Sequence, residues 1–185
     1  MDKNLRVKSK ILTEKEMELI LHRMALQILE ENKALNNLII VGIKTRGIYL
    51  GKKIVNFIKQ YKNFDVPFMT LDIALYRDDL SEVAKNPIVK TTGIKSDIKG
   101  KDLILVDDVL YTGRTMRAAL DAVFDLGRPE TVQLAVLIDR GHKQLPITAN
   151  FTGKFIPTSK KEIIKVNMQE SDGVEETLIV EKIKE

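Results

Sequence analysis

Residues 103–115 read LILVDDVLYTGRT, and this short run holds the residues best placed to do chemistry. Asp107 and Asp108 close a run of four apolar residues. Val109, Leu110, Tyr111, Thr112, Gly113, Arg114 and Thr115 then lead into a helical pattern. Successive backbone N–H groups entering a helix make an anion site, which the helix dipole reinforces. Thr112 and Thr115 add hydroxyl donors, and Gly113 lets the main chain approach a phosphate without a Cβ in the way. The paired carboxylates lie a few residues upstream, where the hydroxyls of a sugar carrying that phosphate would fall. Three other readings of this run compete with that one. A phosphoacceptor receiver domain has the acidic pair but needs no TGRT turn. A P-loop needs GxxxxGK[ST], which this run does not match. A helix cap needs no ligand at all.

The surrounding pattern supplies elements that would hold such a loop. Thr13 and Glu16 have capping-box spacing, and apolar residues from Met17 to Leu29 recur with helical period up to about Asn32. Residues 38–43, LIIVGI, predict a strand buried on both faces. After a break at residues 44–47, a second helix is expected over 48–61, and a strand over 67–76. Residues 103–106 form the next strand, 114–126 a helix closed by Gly127, and 131–138 a further strand. Alternating strands and helices imply an α/β domain around a mostly parallel central sheet. Residues 77–101 are polar, with Pro87, Gly93 and Gly100, and read as a lid. From Asp139 onward the pattern of short strands and turns reads as a small hood (about 139–185). The whole of 1–185 is expected to be one domain.

Composition removes several classes of function. The 185 residues contain no cysteine, which excludes disulfides, zinc-thiolate sites and thiol catalysis. There is no long apolar run, and MDKNLRVKSK at the N-terminus has no apolar core. Neither membrane insertion nor secretion is expected, and the expected location is the cytoplasm. A net charge of +4 is compatible with phosphate or nucleic-acid ligands without pointing to either. Aromatic content of 5% disfavours a surface that stacks many bases. The two histidines are His22, at the edge of the first helix's apolar stripe, and His142; His22 suits a structural or surface role better than catalysis.

The 103–115 segment resembles the PRPP-binding signature of the type I phosphoribosyltransferases. Further segments narrow the resemblance to one branch: GIKTRGIYL at 42–50, LYRDDL at 75–80, GRP at 127–129, DRGH at 139–142 and IPTSK at 156–160. That branch comprises bacterial uracil phosphoribosyltransferases that also regulate pyrimidine operons by transcription attenuation. The resemblance covers nearly the whole chain and implies the type I phosphoribosyltransferase fold, with PRPP, uracil and UMP or UTP as ligands. It implies that Leu110 to Thr115 hold the 5-phosphate while Asp107 and Asp108 accept hydrogen bonds from the ribose hydroxyls. The turn Lys44, Thr45, Arg46 and Gly47 would then hold the pyrophosphate, and Arg77 would open the lid over it. Magnesium would come bound mainly through the pyrophosphate, with no dedicated protein cage. Asp139 and Arg140 would lie beside the base, with Val166 packing on it. A general base is not required of either histidine, because a uracil nitrogen can lose its proton late in a dissociative reaction.

The same resemblance implies binding to a leader-mRNA stem-loop through Arg23, His142, Lys143 and Lys154. Here the sequence departs from the branch: Lys143 stands where arginine is usual, and Thr148 where relatives carry a basic residue. Lysine does not reproduce arginine's planar fork, and threonine carries no charge. Two alternatives stand beside the bifunctional reading: an RNA-binding regulator with little catalysis, and a purine phosphoribosyltransferase. The family also forms homodimers and homotetramers.

Overall fold

A computed structural model describes residues 5–74, 76 and 98–183. LIIVGI forms β2 (Leu38–Ile43), and its alternate residues divide between two cores. Leu38 and Ile40 join one cluster, with Met17, Leu21, Met24 and Ile28 of α1 (Glu14–Glu31) and Leu50, Ile54 and Ile58 of α2 (Arg46–Lys62). Ile39, Val41 and Ile43 join the other, with Met116, Ala119 and Val123 of α3 (Arg114–Leu126). The continuous apolar run is thus two alternating faces, each covered by helix.

The core sheet has the order β3-β2-β4-β5-β6 and is parallel throughout. Its other strands are β3 (Phe68–Leu71), β4 (Asp102–Leu110), β5 (Thr131–Asp139) and β6 (Phe151–Phe155). From β2 the chain crosses by α2 to β3 on one side, while β4 lies on the other side of β2. The order therefore reverses between β2 and β4, and a crevice opens there at the carboxyl ends of the strands.

Several element boundaries differ from expectation. The strand expected over 67–76 stops at Leu71, because residues 72–74 leave the sheet to line that crevice. The strand expected over 103–106 runs to Leu110, pairing with β5 as far as Asp139, so Asp107 and Asp108 belong to the strand itself. The expected lid begins with Arg77 and falls mostly on residues 77–97, outside the described residues. Its last part is docked: Ile98 is buried in the second core, and the Gly100 amide donates to the Arg128 carbonyl (2.9 Å).

The hood also differs. Residues 151–155 belong to the core sheet as β6. The hood is a separate antiparallel sheet ordered β1-β8-β7, formed by β1 (Leu5–Thr13), β7 (Glu162–Asn167) and β8 (Glu176–Lys182). β1 had no counterpart in the sequence reading, although Leu5, Val7 and Ile11 alternate there with Arg6, Lys8 and Lys10. Only Leu12 of this strand is buried, so it is held chiefly by the ladder to β8. Cross-strand pairs Arg6–Glu181, Lys8–Glu162 and Lys10–Glu176 lie along its exposed side. At its end the Thr13–Glu16 capping box forms as expected, with the Thr13 amide donating to Glu16 Oε2 at 2.8 Å.

Candidate active site

The crevice between β2 and β4 holds a cleft of about 470 Å³. One wall is the turn Lys44, Thr45 and Arg46. The other is Asp107, Asp108, Val109 and Thr115, with Asp72, Ile73 and Ala74 at one end. Two glycines allow the walls to come this close. A Cβ on Gly47 would fall 2.2 Å from the Val106 carbonyl oxygen, and one on Gly42 would fall 2.7 Å from Ile48 Cα. The turn is therefore pressed against β4 just before its acidic pair, and the Lys44–Thr45 peptide is cis.

The loop after β4 turns into α3 at Gly113. Gly113 adopts φ +89 and places no capping side chain over the first turn of α3. The Arg114 amide donates to Thr112 Oγ1 (3.3 Å), and the Thr112 carbonyl accepts from the Gln144 and Leu145 amides, which back the loop from outside. Arg114 reaches the same backing segment through Gln144 Oε1 (3.2 Å). Thr115 and Val109 face the cleft. Tyr111 instead turns toward Arg140, whose guanidinium carbon lies 4.0 Å from the ring centroid.

The acidic pair is electrostatically unusual. Burial pushes the Asp107 carboxyl well above the ordinary carboxylate range, and the negative charge of Asp108 pushes it further. Asp108 is also raised by burial, but the Arg46 guanidinium and the Val109 amide (2.8 Å) oppose the rise. Two carboxylates are thus kept together where cations and hydroxyl donors would be welcome.

Both cations of the 44–47 turn are held by carboxylates distant in sequence. Lys44 Nζ lies 2.8 Å from Asp72 Oδ2, and Arg46 Nη2 lies 2.9 Å from Asp172 Oδ1. Asp172 ends α4 (Gln169–Asp172), a short helix of the hood connection. Neither carboxylate was singled out in the sequence. Asp72 lay inside an expected strand, and Asp172 in a stretch with no motif around it.

The residues expected at the base lie elsewhere than on the described walls of the cleft. Arg140 is 4% exposed, and its side chain donates to Thr158 Oγ1 (2.9 Å) and to the carbonyls of Ser159 (3.0 Å) and Glu162 (2.6 Å). It clamps the hood connection onto the core, and burial lowers its pKa from the usual value. Asp139 accepts from the Gly141 amide (2.9 Å) and pairs with Lys143 (2.7 Å). Val166 is 1% exposed, within the first core. Arg77 lies outside the described residues.

The four residues expected to meet RNA fall along one edge. Arg23 donates to the Gly153 and Thr152 carbonyls of β6, the edge strand that also carries Lys154. The turn after β5 places His142 at φ +62, bonded to the Thr158 carbonyl, next to Lys143. Between these pairs stands Phe155, 61% exposed and about 4.0 Å from where a Gly141 Cβ would lie. His22, beside Arg23 in α1, packs against Phe57 and Tyr61 with ring centroids 4.9 and 5.1 Å away.

Comparison with known proteins agrees with this geometry. Residues 8–171 match the phosphoribosyl transferase domain family. A Bifunctional protein PyrR of Deinococcus radiodurans is 52% identical over 168 residues, covering 91% of this chain and 92% of its relative. Another, from Thermus aquaticus, is 51% identical over 178 residues, covering 96% and 98%. Among solved structures, a hypoxanthine phosphoribosyltransferase of Trypanosoma cruzi superposes with a TM-score of 0.72 at 14% identity, over 96% of this chain and 98% of that one. A hypoxanthine-guanine phosphoribosyltransferase of Bacillus anthracis gives 0.71 at 21%, over 96% and 99%. At such identities the structures show a shared fold only. With a cleft built on the phosphoribosyltransferase plan and half its residues shared with these relatives, the chain belongs to the phosphoribosyl transferase domain family and, within it, to the bifunctional PyrR proteins.

Proposed function

We propose that the protein transfers the phosphoribosyl group of PRPP to uracil, giving UMP and pyrophosphate, and that it also regulates pyrimidine genes by binding leader mRNA. The observation that carries the catalytic half is the cleft itself. A cationic turn and a phosphate loop face each other across an acidic pair, as the three parts of PRPP require. The 5-phosphate binds the amides and hydroxyls of the 110–115 loop. The pyrophosphate binds Lys44, Arg46 and the main chain of the turn.

Asp107 and Asp108 accept hydrogen bonds from the ribose hydroxyls. As the C1–O bond to pyrophosphate breaks, positive charge develops on the ribose ring beside these carboxylates, and their field stabilises it. A uracil nitrogen then forms the new bond at C1 and releases its proton, while pyrophosphate leaves. Burial favours this geometry, because an oxocarbenium-like centre open to water would hydrolyse. The acidic pair also fits Mg²⁺ delivered on PRPP, since Mg²⁺ accepts one or two carboxylates beside phosphate oxygens and water; when bound it would neutralise charge on the departing pyrophosphate. The base is assigned to the close of β5, at Asp139 and Arg140, off the described walls of the cleft, with Val166 in the first core. Incubation with PRPP, Mg²⁺ and uracil, hypoxanthine or orotate tests the reading. Pyrophosphate release is expected with uracil, and release with none of the bases would sink it.

The regulatory half is supported by the strip Arg23, Lys154, Phe155, His142 and Lys143. Single-stranded RNA is read by cations together with an aromatic face on which an unstacked base can lie. Phe155 supplies such a face between basic residues. In a gel shift against the operon's own leader RNA with UMP, the wild type should bind and Phe155→Ala should bind more weakly. No shift at low salt would remove the regulatory reading and leave the catalytic one intact.

A further inference from the structure

Arg46 is the one residue of the pyrophosphate turn gripped by the hood. Its guanidinium meets Asp172 through Nη2, and its Nε is buried with no acceptor among the described residues. Among those residues the Asp172 pair is therefore the contact that fixes the direction of the guanidinium. Asp172 is suited to this because its two oxygens have separate tasks. Oδ2 accepts from the Met168 amide (3.0 Å) and the Ser171 hydroxyl (2.7 Å), which locks the carboxylate onto its own turn. Oδ1 is left to Arg46.

A second carboxylate competes for the same cation. Arg46 lies close enough to Asp108 for its charge to oppose the upward shift of that acid. An Arg46 released from Asp172 would be drawn toward the acidic pair, across the place where the ribose hydroxyls must bind. Held by the hood, it lines the cleft without covering Asp107 and Asp108. We propose that Asp172 is a positioning residue: it aims Arg46 at the pyrophosphate and keeps it off the carboxylates that hold the ribose. This rests on the PRPP reading of the cleft.

The molecule contains its own control. Two residues beyond Gly173, Glu175 makes the other ion pair from this turn to α2, with Lys53 Nζ at 2.5 and 2.6 Å from its two oxygens. Glu175 is more deeply buried than Asp172 (7% exposed), but its partner Lys53, unlike Arg46, does not line the cleft. A role that merely tied hood to helix would make the two pairs equivalent.

Steady-state kinetics separate the cases. Asp172→Asn should raise KM for PRPP about tenfold or more, the scale of loss when a binding group is misaimed. KM for uracil should stay within about twofold, and Asp172→Glu, which keeps the charge, should recover most of the loss. Glu175→Gln should lower Tm while leaving KM for PRPP unchanged. Calorimetric binding of pyrophosphate with Mg²⁺ should weaken in parallel for Asp172→Asn alone; because it needs no turnover, it stays informative even if no base is a substrate. Equal effects of Asp172→Asn and Glu175→Gln on KM or on pyrophosphate affinity overturn the proposal, as does an equal rise in KM for uracil and PRPP. Should Asp172→Asn not fold, Ser171→Ala removes one support of the carboxylate and should raise KM for PRPP about twofold to threefold; an unchanged value overturns the proposal.

Discussion

The carboxyl end of β4 and the hood serve one cleft but are built in opposite ways. From Asp107 to Thr115 a single continuous segment provides the acids, the glycine, the hydroxyls and the helix N-terminus. The hood joins strands from both ends of the chain; among the described residues it touches the cleft lining through Asp172 to Arg46, while Arg140, off the cleft walls, binds residues 158–162. A contiguous site carries its chemistry in local order. An assembled one carries it in contacts between residues far apart in sequence, 126 positions for Arg46 and Asp172.

The sharpest test of the contiguous half is Asp107→Asn with Asp108→Asn. Turnover should fall at least about 100-fold, the scale of losing preorganised charge stabilisation, while circular dichroism shows the fold intact. A double variant of near wild-type activity would break the comparison at its strongest point. The same pair should shape stability. With Asp107 raised in the folded state, the native protein holds a proton that the unfolded chain has already released. Stability should therefore be fully present below the unfolded value near 4 and decline as pH rises through the raised folded value. In thermal melts across that range Asp107→Asn should flatten the decline; an unchanged slope would remove the assigned cause.

Gly47→Ala is next in size. Its Cβ has nowhere to go beside the Val106 carbonyl, and a loss of about 1–3 kcal/mol is expected in denaturant titrations. In the hood, Gly173→Ala has open space and pays only for its φ of +70, about 1–2 kcal/mol. Arg140→Lys tests the joint between the two regions. It removes the planar fork that spans two carbonyls and a hydroxyl, and about 1.5–3 kcal/mol should go with it. Smallest of all should be Glu181→Gln, which cuts the exposed pair to Arg6 and should change stability by less than about 1 kcal/mol. A larger loss there would mean that the hood depends on its surface charges more than on its ladder.

What could be read in advance follows the same division. The apolar runs of β2 and β4 and the helical stripes of α1 and α3 announced a parallel sheet covered on both faces, because period and burial are local properties of the chain. β1 was overlooked although its alternation is visible, since a strand with one buried residue looks like a polar terminus until its partner is known. The strand containing Asp72 was drawn too long because nothing local marks where a strand leaves its sheet. Arg140 and Asp139 close a core strand, and their side chains are engaged in the hood connection and the turn, which only the path of residues 141–162 determines.

By itself, then, the sequence determined the loop entering α3 and the acids before it. Backbone amides, a positive-φ glycine and a helix start must be consecutive to work, and LILVDDVLYTGRT writes them consecutively. Only the tertiary structure decided which carboxylates hold the turn at residues 44–47. Lys44 and Arg46 could have paired with any of the chain's acids, and the choice of Asp72 and Asp172 was made when the sheet and the hood closed around them.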